Sequence, residues 1–407
     1  MSSFSIALSG LTASSSDLDV TANNIANADT VGFKESRAEF ADVYASGAVN
    51  LNTSVTGEGV RLASTAQQFT QGNISTSSSN LDLAISGDGF FTLQSPQGIV
   101  YSRNGQFAED SNGNVVSSTG QALQVYPPLV NGGFNTGALS DLNLQTAQSA
   151  PQATSTGTVI LNLPAGATVP TVAPFNPTNS LTYNQSTSTT VYDSLGNAYP
   201  ATMYFTQTAA PNVWAVNLTV NGTQVGAAQN LTFSNGGAQT VPPGGGLTFA
   251  GYNPPDGAQA MSMNFNFGQT TQYGGAFGVT SITQNGYATG QLSTVAIDPS
   301  GIVSAVYTNG RSTELGQLAM ANFPNPQGLK QLGDTNWSQT FTSGNVVQGT
   351  ASSAGFGSIQ SGALESSNVD LTTELVNMIT AQRSFDANAQ VITTANQESQ
   401  TVIQISH

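Results

Sequence analysis

The feature that most constrains this chain is an apolar stripe with helical spacing near its carboxyl end. No proline or glycine interrupts residues 371–405. Apolar residues recur there in alternating steps of four and three, which predicts one long helix with a heptad seam. A shorter stripe with the same steps begins near the amino end and stops before Gly32. The predicted seam residues are Phe4, Leu8, Leu11, Leu18, Ile25, Leu371, Leu375, Met378, Phe385, Ile392 and Ile403.

Both predicted seams are weakened by polar residues. Ser15 interrupts the first seam, and Gln382, Asn396 and Ser399 interrupt the second. Such substitutions fix the register of a helix pair at some cost in stability, so two such helices alone are marginal. Further apolar residues outside the seams are Ile6, Val20, Ile379, Val391 and Val402. Each helix therefore has a second face that needs cover from another chain or domain. A bundle within one molecule is the alternative.

The charge balance limits the class of partner. The chain has 407 residues, long enough for two or three domains. Only 7% of its residues are charged, with 7 basic against 22 acidic ones, and the formal net charge is -15. Phosphate backbones and anionic membrane surfaces would be repelled. Nucleic acid is therefore not expected as a partner.

Cysteine usage and hydropathy suit a protein outside the cell. The sequence contains no cysteine, which excludes disulfides and thiolate metal sites. No apolar run is long enough to span a bilayer, so membrane insertion is not expected. The opening segment is amphipathic and its first basic residue is Lys34, so it lacks the pattern of a secretory signal. An exported protein of this kind would use a route without a cleaved signal peptide.

Two separate stretches predict one antiparallel sheet. Residues 81–93 alternate between apolar and polar, and turn signals follow at Asn104-Gly105 and Asn112-Gly113, which indicates a run of hairpins. Residues 291–345 return to this pattern, with turns at residues 298–301 and at Asn309-Gly310. The second stretch is predicted to complete the sheet that the first one starts.

The stretch between these halves differs in composition and is predicted to be an inserted β domain. Its only charged residues are Asp193 and Asp256. Half-buried antiparallel strands are predicted at residues 159–163, 213–220 and 261–267. The predicted division is a terminal helical assembly domain (1–28 and 368–407), extended connectors (29–72 and 352–367), an inner β domain (73–145 and 286–351) and an outer β domain (146–285). The predicted fold class is mainly β with α-helical termini that form a coiled-coil-like domain.

A motif after the first helix is similar to the amino-terminal signature of the bacterial flagellar rod and hook family. The matching residues include Asn23, Asn24, Asn27, Thr30, Gly32, Phe33 and Lys34. From the residues alone, the asparagines suit a helix end and Gly32 suits a positive φ beyond it. A simple helix cap would explain the same residues.

Four further segments resemble the same family, in the same order along the chain. Residues 87–91 and 101–107 are similar to its Gly-x-Gly-Phe-Phe and Tyr-x-Arg-x-Gly-x-Phe elements, and residues 190–196 are similar to a segment of the hook subunit's outer domain. Residues 362–371, with Met378, Ile379, Gln382, Arg383 and Phe385, resemble the carboxyl-terminal motif. Ser367 or Asn368 is the predicted cap of the last helix.

The resemblance implies a structural subunit of the flagellar hook. Such a subunit leaves through the flagellar type III export apparatus and polymerises into a flexible curved tube, the universal joint that passes torque from rod to filament. Its implied partners are other copies of itself and the hook cap, distal rod and hook–filament junction proteins. A distal rod protein is the nearest alternative, although the large insertion favours the hook. A secreted β-rich adhesin is a further alternative, but it has no reason to carry paired terminal heptads.

No catalytic or metal site is predicted, and no cofactor is expected. The single histidine is the last residue, His407, so histidine-based triads and metal sites have no suitable member. Residues 109–114 are similar to part of a calcium loop, but the glycine is misplaced and Gln121 replaces the terminal glutamate. A hairpin turn explains that segment better. The protein is therefore not expected to be an enzyme.

Overall fold

The computed structural model describes residues 2–43, 57–145 and 148–405. Helix α1 covers Ser2–Ala26 and helix α2 covers Leu371–Ile405, and strands make up most of the regular structure between them. The predicted fold class, mainly β with helical termini, is confirmed. Residues 44–56 of a predicted connector, Thr146 at a predicted domain boundary and His407 lie outside the described residues.

The strands follow one another in chain order. They are β1 (Ser36–Val43), β2 (Gly59–Gln67), β3 (Ile74–Thr76), β4 (Leu83–Ser86), β5 (Phe90–Ser95), β6 (Gly98–Ser102), β7 (Phe107–Glu109), β8 (Val115–Ser117), β9 (Ala122–Tyr126), β10 (Ser140–Asp141), β11 (Thr156–Pro164), β12 (Gln185–Tyr192), β13 (Ala198–Gln207), β14 (Val213–Val220), β15 (Thr223–Phe233), β16 (Gln239–Val241), β17 (Gly246–Tyr252), β18 (Met261–Asn266), β19 (Thr271–Tyr273), β20 (Gly278–Gln284), β21 (Leu292–Ile297), β22 (Ile302–Tyr307), β23 (Ser312–Asn322), β24 (Lys330–Gly333), β25 (Asn336–Ser338), β26 (Val347–Thr350), β27 (Ser358–Ser361) and β28 (Ala363–Glu365). Short 3-10 turns cover Ser180–Thr182, Pro243–Gly245 and Pro326–Gly328.

The described residues form two compact units, which we call the terminal unit and the inserted unit. The terminal unit contains residues 2–43, 57–145, 294–305 and 313–405. The inserted unit contains residues 148–293 and 306–312. The short second segment of the inserted unit includes the Asn309-Gly310 turn, and the sequence gives no sign of that assignment.

The largest sheet joins strands from both halves of the chain. Its main path runs β21-β22-β23-β9-β5-β6-β25-β24. Strand β23 pairs with β5 and β9, and β25 pairs with β6, all antiparallel. The prediction that the later hairpins complete the earlier sheet is therefore confirmed. Phe91, Leu93, Leu318 and Met320 are among its buried core residues.

One predicted hairpin turn has a different role. The Asn112-Gly113 turn joins the paired strands β7 and β8, as predicted. Strand β6 pairs with β5 and β25, and β7 pairs with β8, so the two strands around Gly105 do not form a hairpin; instead, Leu83 N donates to Gly105 O at 2.9 Å. A Cβ atom at Gly105 would lie 1.6 Å from the Leu83 carbonyl oxygen. Glycine is required here by a close backbone approach, and a hairpin is the wrong interpretation.

The segments predicted as extended connectors contain paired strands. Strands β1 and β2 form an antiparallel two-stranded sheet. Farther along, β27 pairs with β4, and β28 pairs with β3. The first of these segments shows no lasting period in the sequence because β1 and β2 have only each other as partners and contain no fully buried residue.

The inserted unit contains two sheets around an apolar core. One sheet follows the order β12-β13-β14-β15-β16, and the other has the path β17-β18-β11-β19 with β20 beside β11. The strands predicted at residues 159–163, 213–220 and 261–267 are confirmed as β11, β14 and β18. The antiparallel prediction holds for β11 beside β20, but it is wrong beside β18 and β19, to which β11 runs parallel. Alternation reports which face is buried, but it does not report the direction of the neighbouring strand.

Candidate assembly interface

The two terminal helices pack against each other in antiparallel directions. Near one end of the pair, Asn24 Nδ2 donates to Glu374 Oε2 at 3.2 Å. Near the other end, Gly10 faces Asn388, and a Cβ atom on that glycine would lie 2.7 Å from Asn388 Oδ1. Helices α1 and α2 therefore form one antiparallel helix pair in the terminal unit.

The face of α1 toward this packing carries small and polar residues instead of large apolar ones. The buried or close-packed residues of α1 are Ala7, Gly10, Ala13, Ser14, Thr21 and Asn24. All of them except Ala13 follow steps of three, four or seven and lie one residue before the predicted seam. On α2, Glu374 and Ala381 are buried and also lie one residue before predicted seam positions. The heptad period is present, but the seam between these two helices is displaced by one residue.

This displacement leaves much of the predicted apolar seam open to solvent. Phe4, Leu8, Leu371 and Leu375 are 42 to 48% exposed. The half-buried seam residues are Leu11, Leu18, Ile25, Met378, Phe385 and Ile392. Helix α2 includes position 403, although the Ile403 side chain lies outside the described residues. Val376, Ile379 and Val391 add to the exposed apolar surface of α2. We use the name open apolar stripe for the exposed apolar residues of both helices, which are Phe4, Leu8, Leu371, Leu375, Val376, Ile379 and Val391.

The β1–β2 hairpin covers part of α1. The backbone N–H of Val60 donates to Ser9 Oγ at 3.1 Å. Gly59, with a φ of +113°, lies so close that a Cβ atom there would be 2.1 Å from Ser9 Oγ. Only glycine accommodates both the positive φ and the contact. The hairpin thus attaches α1, at Ser9, to the β1–β2 sheet.

The family-like motif begins in the last turn of α1 and forms the link between helix and sheet. Asn24 Nδ2 donates to Ser36 O at 2.7 Å, and Ser36 N donates to Asn24 Oδ1 at 2.9 Å. Gly32 has a φ of +71°, and its N–H donates to Glu365 O at 2.8 Å. A Cβ atom on Gly32 would lie 2.6 Å from Asn104 N. The motif residues therefore do more than end a helix.

The remaining motif residues support the same turn. Asn27 Nδ2 donates to Asn23 O at 2.9 Å, and Thr30 Oγ1 donates to Asn27 Oδ1 at 3.1 Å. The Phe33 side chain, which follows this turn, is buried. Asn23, Asn27, Thr30 and Phe33 also border a polar cleft of about 390 Å³. The motif thus gives the chain one fixed path from α1 into the sheet.

A buried ion cluster lies where this path meets the sheet and the segment before α2. Lys34 Nζ is 2.7 Å from Glu365 Oε1, and Arg103 is 3.2 Å from Glu365 Oε2. Lys34 also donates to Thr70 O at 2.8 Å, and Gly72 N donates to Glu365 Oε1 at 2.8 Å. Burial lowers the pKa of the Lys34 ammonium, and the Glu365 carboxylate opposes that shift. Separating these charges would leave them unpaired without water, so the cluster favours one geometry.

A second group of charged residues lies beside the helix pair. Asp17, Glu35 and Glu374 border a cavity of about 250 Å³ together with Arg37. Burial raises the pKa of Asp17, and repulsion from Glu374 adds to the shift. Burial and Glu374 likewise raise the pKa of Glu35, while Arg37 opposes them. When Asp17, Glu35 and Glu374 are all ionised, they repel one another and weaken the contact between α1, α2 and the start of β1.

The cap of α2 differs from the predicted one. Asp370 Oδ1 accepts the N–H of Thr372 at 2.9 Å, and these hydrogen bonds lower the pKa of Asp370. Asn368 instead accepts from Glu35 N at 2.7 Å, and Ser367 Oγ accepts from Val369 N at 3.3 Å. Ser367, Asn368 and Asp370 lie within four positions and can each cap a helix, so the sequence does not decide among them.

The calcium-like loop is a hairpin turn. Asp110 Oδ1 accepts the N–H groups of Asn112 and Asn114, both at 2.8 Å. The bond from Asn114 is the main reason that the pKa of Asp110 is lowered. This carboxylate stabilises the turn between β7 and β8.

Sequence reasoning missed Arg103, Glu365 and Glu374 as site residues. A usable signal existed, because the chain has only 7 basic residues and a buried one requires a partner. The identity of that partner could not be predicted from the sequence, since 331 positions separate Lys34 from Glu365.

Four family models match the sequence in chain order. They are described as "Flagella basal body rod protein" (residues 4–34), "Flagellar hook protein FlgE/F/G D1 domain" (84–172), "Flagellar basal body protein FlaE D2 domain" (162–287) and "Flagellar basal body rod FlgEFG protein C-terminal" (360–405). The flagellar hook protein FlgE of Escherichia coli K12 is 38% identical, over 99% of both chains. The chain belongs to the flagellar hook protein family.

Other hook proteins agree with this assignment. FlgE of Salmonella typhimurium LT2 is 38% identical over 99% of this chain and 100% of its own, and FlgE of Borreliella burgdorferi is 31% identical over 98% of both. The crystal structure of Helicobacter pylori flagellar hook protein FlgE2 has a TM-score of 0.53 at 13% identity, covering 72% of this chain and 100% of that one. This structural likeness shows a shared fold.

Membership of the hook protein family settles the broad function. The chain is a structural subunit of the flagellar hook, and the rod and adhesin alternatives are not favoured, because the full-length relatives are hook proteins. The family implies self-polymerisation in the hook and basal body. Within the described ranges, no helix is both long and apolar enough to cross a membrane.

Proposed function

We propose that hook subunits of this chain polymerise through the open apolar stripe of α1 and α2. The observation that carries the proposal is that the helices contact each other through small and polar residues, which leaves Leu8 and Leu375 nearly half exposed. Apolar surface of this kind is stabilised when a neighbouring copy removes it from water. The proposed assembly residues are therefore those of the predicted seam, with Val376, Ile379 and Val391 beside them.

The ion cluster suits a subunit that passes torque. Lys34 follows α1, Glu365 precedes α2 and Arg103 follows strand β6 of the large sheet. Their buried ion pairs therefore join the two chain segments next to the helices to the sheet. We propose that this cluster keeps the helices and the sheet of the terminal unit in one orientation under load. The family motif, Asn23 to Lys34, provides the covalent path through it.

The inserted unit supports a different duty. Between the two halves of the large sheet, residues 148–285 contain only Asp193 and Asp256 as charged residues, and strand β12 alternates exposed Ser and Thr side chains with half-buried ones. Polar, wet contacts between such surfaces can slide, whereas a large apolar interface holds one geometry. We therefore propose the four-part division given above, in which the outer domain permits bending of a curved tube.

The remaining partners follow from the proposed place of the subunit. A tube between rod and filament meets the distal rod protein at one end and the hook cap, and later the junction proteins, at the other. We propose export by the flagellar type III apparatus. The proposed role is structural and involves no catalysis.

The direct test is to place a charge in the open apolar stripe. Leu375→Asp should raise the critical concentration for polymerisation about a hundredfold or more, because it removes apolar burial and adds a buried unpaired carboxylate. The matched control is Leu195→Asp, which changes a 55% exposed leucine of the inserted unit. Sedimentation measures polymer, and thermal melting measures the monomer.

Two results would contradict the proposal. An unchanged critical concentration for Leu375→Asp would show that the stripe is not an assembly surface. Loss of the monomer's melting transition would show that Leu375 belongs to the core of a single molecule, which is the intramolecular bundle.

A further inference from the structure

The loop between β25 and β26 presents an aromatic ring to solvent. Phe341 is fully exposed, although most large apolar side chains of the same sheet are buried. Val347 on strand β26 is 51% exposed. A single exposed leucine is common on a protein surface, but a completely exposed phenylalanine loses the stabilisation that burial of its ring would give.

Hydrogen bonds hold this loop in one conformation. Ser343 is completely buried, and its hydroxyl donates to Thr340 O at 2.8 Å. Thr340 N donates back to Ser343 Oγ at 3.0 Å. Asn325 Nδ2 donates to Thr342 O at 2.9 Å, which ties the loop to the neighbouring 3-10 turn.

Close packing adds to this restraint. A Cβ atom on Gly328, in the Pro326–Gly328 turn, would lie 2.4 Å from the carbonyl carbon of Thr342. The backbone on both sides of Phe341 is therefore fixed before any partner arrives. Binding through a fixed loop costs little conformational entropy, which is the arrangement expected of an anchor residue.

The surroundings of the ring favour a second copy of this chain as the occupant. A hollow of about 650 Å³ lies beside Phe341 and is lined by Gln339, Thr340, Gly344 and Asn345. No residue from 335 to 364 is charged, although the whole chain has a net charge of -15. Because both copies carry this net negative charge, a patch without charged residues is a favourable place for close approach.

We propose that Phe341 is an intersubunit anchor that packs against a neighbouring copy of the chain, with a side chain of that copy filling the hollow. This inference rests on the proposed function, since it requires a polymer, but it concerns the sheet of the terminal unit and not the helices. A polymer that grows without closing needs contacts between different surfaces of successive subunits. The Phe341 loop supplies one such surface outside the open apolar stripe.

The first test compares two substitutions at this position. Phe341→Ser should raise the critical concentration for polymerisation about tenfold to a hundredfold, while Phe341→Leu, which keeps an apolar side chain, should change it by less than about threefold. Both variants should melt as the wild type does, because the ring is fully exposed in the single chain. A critical concentration within about twofold of wild type for Phe341→Ser would overturn the proposal.

The second test identifies the neighbour. The chain contains no cysteine, so Phe341→Cys can be labelled at that position alone with a benzophenone maleimide. Irradiation of purified polymer should yield covalent dimers, and irradiation of monomer at the same total concentration should not. Polymer without dimers overturns the anchor alone. A wild-type chain that forms no polymer overturns the proposed function, and the anchor falls with it.

Discussion

At the scale of single residues, a few buried polar groups do most of the positioning. Lys34 could be singled out from the sequence because it ends the family motif, whereas its partner Glu365 lies 331 positions away. Glu365 accepts from Lys34 and Arg103 and is itself completely buried. No local pattern marks such a residue, since the partners of a buried charge are determined by tertiary structure.

Removing the central carboxylate should destabilise the terminal unit strongly. Glu365→Gln removes the carboxylate that pairs with the buried Lys34 and Arg103, and breaking such a cluster typically costs about 3 to 5 kcal/mol. The control is Glu39→Gln, which removes the exposed ion pair with Arg37 and should cost less than about 1 kcal/mol. Denaturant unfolding measures both. Equal effects of the two substitutions would show that the cluster does not hold the fold.

At the scale of elements, the pattern predicted which helices and strands exist better than it predicted what they face. The bounds of α2 match the predicted 371–405, and strands β11, β14 and β18 lie where alternation placed them. The seam between α1 and α2 is displaced by one residue, because periodicity does not say whether the large or the small face meets a given partner. Gly10 and Ala381 permit the close approach that large residues would prevent.

The helix pair should respond to pH through Asp17. A raised pKa in the folded state means that folding favours the protonated form, so this contribution to stability is present at low pH and lost as pH rises through the raised pKa. Asp17→Asn mimics the protonated form. It should slow amide hydrogen exchange in α1 relative to wild type at about pH 7, and the difference should vanish near pH 3, below the ordinary pKa of aspartate.

Asp19→Asn is the matched control, because Asp19 lies on the same helix but is exposed. It should leave exchange in α1 close to that of wild type at both pH values. Equal slowing by the two substitutions at neutral pH would assign the effect to overall charge and not to the cavity beside Glu374.

At the scale of the whole molecule, the sequence predicted a subunit of an assembly more clearly than it predicted the residues of a particular site. Apolar heptads at both ends, a nearly uncharged insertion and the family motif indicated assembly, and full-length similarity to hook proteins assigns the family. The Phe341 loop and the hairpin β1–β2 were not foreseen, because a short irregular segment takes its conformation from the residues around it. The central claim that remains to be measured is that the open apolar stripe becomes buried only when copies assemble.

Thiol labelling measures that burial directly in this cysteine-free chain. Leu375→Cys and the control Leu195→Cys place one thiol each at leucines that are 46% and 55% exposed. In monomer, both thiols should react with a maleimide at similar rates. In polymer, labelling at position 375 should slow by at least about tenfold, while labelling at position 195 should change little. A thiol at position 375 that is already protected in monomer, or that reacts equally fast in polymer, would contradict the account.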